Sequence, residues 1–171
     1  MTLPIEGDEK SGWKPGEPKP FVNSAFTEAY PAFSPDGRWL AYMSNESGNP
    51  EVYVRPFPGP GGKWQVSTGG GGQPKWSRNG KELFYRTEDS KIMVVTYTAF
   101  GDSFQADRPQ LWSPGQFTER GAGNNNFDLH PDGKRFAGLK APSTEQAAAV
   151  NKVSFIFNFF DEIRRKVPSG K

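Results

Sequence analysis

Apolar residues in this chain come in short bursts, Trp39–Met43, Glu51–Arg55, Glu82–Arg86 and Lys91–Tyr97 among them, each with Gly, Pro, Asn or Asp within a few residues of its ends. Bursts of that length, rich in Val, Tyr, Phe and Trp, predict strands separated by turns. Helical spacing enters only near the end. There Phe159, Phe160, Ile163 and Val167 fall on one side, with Asp161 and Glu162 early and Arg164–Lys166 late, as the helix dipole favours. Residues 159–171 are therefore expected to form a short C-terminal helix and tail. A membrane-surface helix is the alternative, but so short a helix needs support from the body of the protein.

Three windows of the strand-rich part align without gaps: PAFSPDGRWLAY (Pro31–Tyr42), PKWSRNGKELFY (Pro74–Tyr85) and FDLHPDGKRFAG (Phe127–Gly138). Each carries an apolar residue (Phe33, Trp76, Leu129), a turn, a basic residue and a second apolar run. In Ser34-Pro35-Asp36-Gly37 the proline presets one turn position and the glycine accepts the left-handed one, which suits a hairpin. The turn glycines Gly37, Gly80 and Gly133 lie 43 and 53 residues apart. In an all-β sequence such a period marks propeller blades.

Strands assigned on this frame fill a first blade (about 29–68) with one beginning near Ala29, then Trp39–Met43, Glu51–Arg55 and Lys63–Ser67. A second blade (about 73–113) has Gln73–Ser77, Glu82–Arg86, Lys91–Tyr97 and about Pro109–Trp112, and a third (about 125–158) has Asn125–His130, Arg135–Lys140 and Lys152–Phe157. The third lacks a fourth strand, and Lys19–Asn23 reads as an orphan able to complete it. Residues 1–18 are a Pro- and Gly-rich arm, with a short strand at Thr2–Ile5, and residues 19–158 the propeller domain. The expectation is an all-β, partial β-propeller of three four-stranded blades. Propellers usually close with more blades, and an open arc exposes apolar faces and edges, so two chains are expected to pair into a six-bladed ring.

Composition narrows the partners. Aromatics are 14% of the 171 residues, which suits blade packing, and the net charge of +2 with intermixed signs argues against a nucleic-acid surface. No apolar stretch is long enough for a spanning helix, and Met1–Pro20 lacks a signal-peptide core. Cysteine is absent and histidine occurs once, so neither a thiolate nor a metal site is expected, and no cofactor. Gly69–Gly72 and Gly59–Gly62 continue into neither a phosphate loop nor a dinucleotide fingerprint and read as connections.

The candidates for chemistry are few. His130 stands where Ser34 and Ser77 stand in the other repeats and reads first as a turn residue. Glu46, Glu51 and Asp128 lie at strand ends or loops, where a funnel mouth would gather carboxylates for glycoside hydrolysis. Arg55, Arg86 and Lys140 end strands in successive blades and are candidates for ligand binding. Trp39, Trp64 and Trp76 are candidates for stacking on sugars or peptides, or for packing between blades.

PAFSPDGRWLAY, followed by EVYVRPFPGPGGKWQVST and QPKWSRNGKELFY, resembles the WD40-like repeat of TolB-type propellers. More closely, it is similar to the propeller that follows bacterial serine/threonine kinase domains. The resemblance covers about Pro18 to Lys171. It implies a six- to eight-bladed propeller serving as a sensor or protein-interaction module in a bacterial protein, periplasmic or otherwise extracytoplasmic, and the chain is expected to be soluble. No His-Arg-Asp or Asp-Phe-Gly kinase signature is present, so kinase activity is not implied, and Thr2-Leu3-Pro4-Ile5 looks like part of a blade that begins upstream. Three functional expectations stand: a non-catalytic scaffold binding a protein, peptide or small ligand; a hydrolase using funnel carboxylates; and a fragment acting only in self-association.

Overall fold

The repeated turn organises the structure. In the computed structural model, which describes residues 1–113 and 127–138, Ser34 N–H donates to the Trp39 carbonyl (2.9 Å) and Gly37 N–H to the Ser34 carbonyl (2.9 Å). The same two bonds recur from Ser77 to Glu82 and Gly80 to Ser77, and from His130 to Arg135 and Gly133 to His130. A side-chain oxygen of Asp36, Asn79 or Asp132 accepts the N–H two residues on, at 2.9–3.1 Å. Gly37, Gly80 and Gly133 all have φ near +70° (70°, 67° and 69°), where any side chain would be strained.

Around the first turn, β3 (Glu28–Phe33), β4 (Trp39–Ser44), β5 (Glu51–Pro56) and β6 (Trp64–Gln65) form a four-stranded antiparallel sheet in chain order. Before it, β1 (Ile5–Asp8) and β2 (Gly12–Pro15) make a separate hairpin. Around the second turn come β7 (Gly72–Trp76), β8 (Glu82–Arg86) and the long β9 (Ile92–Phe100). The free edge of β9 is covered in series by β10 (Ser103–Ala106), Asp107 and β11 (Gln110–Ser113). The third turn joins β12 (Phe127–Leu129) to β13 (Phe136–Gly138). The described residues all belong to one unit, Met1–Lys140.

Side chains alternate across the sheets, and two cores result. Trp39 and Ala41 of β4, with Val52 and Val54 of β5, pack on Trp76, Leu83, Tyr85, Val95 and Phe104 of the second sheet. Phe84, Ile92 and Val94 point the other way, onto Phe127, Leu129 and Phe136. Burial on both faces explains why β8 reads Glu-Leu-Phe-Tyr-Arg with no polar alternation. Trp39, Trp64 and Trp76 all belong to this packing: Trp39 meets Trp64 edge-on at 5.7 Å, and the Trp76 Nε1–H donates to the Ala32 carbonyl at 2.9 Å across the sheets. Arg38 adds a second tie, donating to the Gly101 carbonyl at 2.6 Å.

The described chain is thus all-β, in antiparallel sheets none of which closes on itself, and no helix in it is long and apolar enough to cross a membrane. Two strand expectations need correction. Lys19–Asn23 forms no strand; only Lys19 is engaged, in one antiparallel bridge to Thr2, because Pro18 and Pro20 remove the donors on either side. The arm's strands are Ile5–Asp8 and Gly12–Pro15 rather than Thr2–Ile5. The strand expected at about Pro109–Trp112 is β11, and β10 is an additional strand that makes the second sheet five-stranded, with Gly101 (φ 57°) in the turn leading into it. Asn125, Lys140, the run Lys152–Phe157 and the helix expected over 159–171 lie outside the described residues.

Candidate functional site

At the sheet ends opposite the repeated turns, a cleft of about 440 Å³ opens between the first and second sheets. The bulged starts of β3 and β7 build it. Pairing slips between Ala29 and Ala32 in β3, and between Gly72 and Lys75 in β7. The residue set out by each slip, Tyr30 and Gln73, precedes a proline and has left-handed φ (55° and 52°). A non-glycine residue held there costs on the order of 1–3 kcal/mol, and such strain gathers at functional positions. Tyr30 and Gln73 occupy the same place in successive repeats, and both line the cleft. Met43, Pro50 and Gly71 supply the rest of one wall, and Arg86, Thr87 and Glu88 the polar rim. The volume falls in the range of small-ligand sites.

Of the two sequence-proposed cations among the described residues, Arg55 and Arg86, only Arg86 lines this cleft. It is buried, and its Nη2 donates to Ser90 Oγ at 2.5 Å. Arg55 pairs in register with Leu40 and shares the opposite face of the first sheet with Tyr42 and Tyr53. Burial pushes the Tyr42 hydroxyl up to about 12, with the neighbouring Arg55 working against the shift. Lys140 lies outside the described residues.

The acid candidates are each committed to a structural contact. Glu51 is buried; Ser67 donates to its Oε2 and the Gly70 N–H to its Oε1 at 2.9 Å, while Ser67 Oγ itself accepts the Val52 N–H at 2.7 Å. That network clamps the loop before β7 onto β5. Burial, and then the nearby Glu51 charge, push the Tyr85 hydroxyl up to about 12. Glu46 pairs with Lys63. Asp128 is exposed and lies 3.6 Å from Lys75 Nζ, a tie between the second and third turns' strands. His130 caps its own turn, with Nδ1 accepting the Asp132 N–H at 3.2 Å. The Lys134 N–H is the main reason that the Asp132 carboxyl is lowered to about 2.

Tyr30 and Gln73 were missed from sequence although a signal existed. Each directly precedes the proline, Pro31 or Pro74, that opens its aligned window, and so stands just outside the repeat. No protein-family model matches the chain, and no curated protein is significantly similar to it.

Proposed function

We propose that the chain is a non-catalytic β-propeller scaffold of three four-stranded blades, which binds a peptide, protein segment or small ligand in the cleft between its first two blades. The reading rests on one observation: corresponding residues of two repeats, Tyr30 and Gln73, are both held at left-handed φ where they line one cleft. A structural turn would take glycine at such a place at lower cost. The candidate carboxylates offer less support to a hydrolase, since Glu46, Glu51 and Asp128 each have a different structural partner.

Amide chemical-shift mapping of the whole protein against panels of short peptides and small metabolites tests the proposal. Binders should perturb Tyr30, Gly71–Gln73 and Arg86–Glu88 together, and Tyr30→Gly should weaken them without unfolding the protein. Turnover of glycosides, abolished by Glu46→Gln or Asp128→Asn, would replace this reading with the hydrolase. An open arc of three blades leaves apolar faces and strand edges uncovered, so the same reading has a second copy complete the ring, giving six blades.

A further inference from the structure

The hairpin β1–β2 is carefully built yet has no core of its own. Asp8 Oδ1 accepts the N–H groups of Lys10 (2.9 Å) and Ser11 (2.7 Å), closing its turn. A Cβ on Gly7 would lie 2.1 Å from the Gly12 carbonyl oxygen, so the strands approach as only glycine permits. Every residue of both strands is nevertheless exposed. An isolated two-stranded hairpin is marginal in water and needs a surface to lie on.

The pairing register shows which side needs covering. Ile5 faces Pro15 and Gly7 faces Trp13, while Glu6 faces Lys14. Opposed residues share a face, so Ile5, Trp13 and Pro15 make an apolar side and Glu6 and Lys14 a polar one. Ile5 is 69% exposed and Trp13 63%. At the root of the hairpin, an apolar cavity of about 530 Å³ is walled by Met1, Leu3, Pro4, Phe33, Leu40 and Phe57.

We infer that this hairpin is an exchange arm: the Ile5/Trp13 face of one chain seats in the Phe33/Leu40/Phe57 cavity of a second copy, and reciprocally. The area fits that occupant. Met1, Leu3, Ile5, Trp13 and Phe33 are each more than half exposed, and covering all five on both chains would bury at most about 1,300 Å², which reaches the foot of the range for stable interfaces. Joining an amphipathic arm and an apolar cavity on one chain satisfies both twice in a two-fold pair. The inference builds on the second-copy reading above, but it assigns the contact to the arm rather than to blade edges.

Sedimentation equilibrium of the full chain over a range of micromolar concentrations, for wild type, Trp13→Ser, Ile5→Ser and the control Phe100→Ser, tests it. Wild type and control should be dimers. Each arm variant should dissociate on the order of a hundredfold more readily, as loss of a central aromatic or aliphatic anchor does, with the far-ultraviolet circular dichroism of the folded chain unchanged. The fluorescence difference between wild type and Trp13→Phe should show Trp13 buried in the dimer and solvated on dilution. A dimer that Trp13→Ser leaves intact overturns the arm while leaving ring assembly standing. A monomer at every concentration overturns both, and concentration-independent burial of Trp13 overturns the exchange by showing the arm on its own chain.

Discussion

Glu51 offers the sharpest test of the packing argument, because it is a buried carboxylate that was a catalytic candidate from sequence and is a clamp in the structure. Glu51→Ala deletes the acceptor of two buried donors, the Gly70 N–H and the Ser67 hydroxyl. Each orphaned donor costs about 1–3 kcal/mol, and bonds to a charged acceptor lie at the upper end. Removing the carboxylate also relieves its own desolvation, which offsets part of the loss. Two donors without partners outweigh that relief, so a net loss of about 3 kcal/mol is expected, a large share of the roughly 5–15 kcal/mol of a typical domain. Glu51→Gln keeps an oxygen for Gly70, and its amide can donate to Ser67 Oγ, so the loss should stay near 1 kcal/mol. Urea unfolding followed by tryptophan fluorescence reads both, through a shift in midpoint at constant slope. Equal stability of Glu51→Ala and wild type would refute the clamp, and so would a glutamine variant as weak as the alanine one.

Three further outcomes follow from the same contacts. Trp76→Phe keeps an aromatic ring in the core but loses the indole bond to the Ala32 carbonyl, and should cost about 1 kcal/mol in urea unfolding, whereas Trp76→Ala should cost about 3–5 kcal/mol. Tyr42 and Tyr85, raised by burial from 10.0 to about 12, stay protonated in the folded state while the unfolded chain ionises. Their contribution is therefore complete below pH 10 and lost as pH rises to about 12; an ultraviolet titration showing all tyrosines ionising together near 10 would contradict this. Asp132 has the opposite sign: its lowered carboxyl favours folding above the ordinary value of 3.8, and that contribution disappears as pH falls through about 2. Carbon-detected NMR titration of the carboxyl reads the value directly, and Lys134→Pro, which removes the main donor, should move it upward.

What the sequence alone determined here is local. The turns at Ser34–Trp39, Ser77–Glu82 and His130–Arg135 were legible because each is written within six residues, in an Asp or Asn that binds the next-but-one N–H and a glycine at positive φ. Most of the paired strands followed, since a short apolar burst between turn residues needs no knowledge of neighbours. The exceptions also have local causes: the two prolines around Lys19, and the Gly101 turn that adds β10 to the edge of β9. Tertiary structure decided the rest. Arg55 and Arg86 both end strands, yet Arg55 pairs with Leu40 beside the first turn and Arg86 reaches the cleft at the other end, because neighbouring antiparallel strands run opposite ways and only the pairing shows which end each residue reaches. Glu51 looked like a free acid until the loop at Ser67–Gly70 folded over it. The cleft and the arm's apolar face exist only once separate stretches meet, and a contact between distant residues leaves no trace in the spacing of either one.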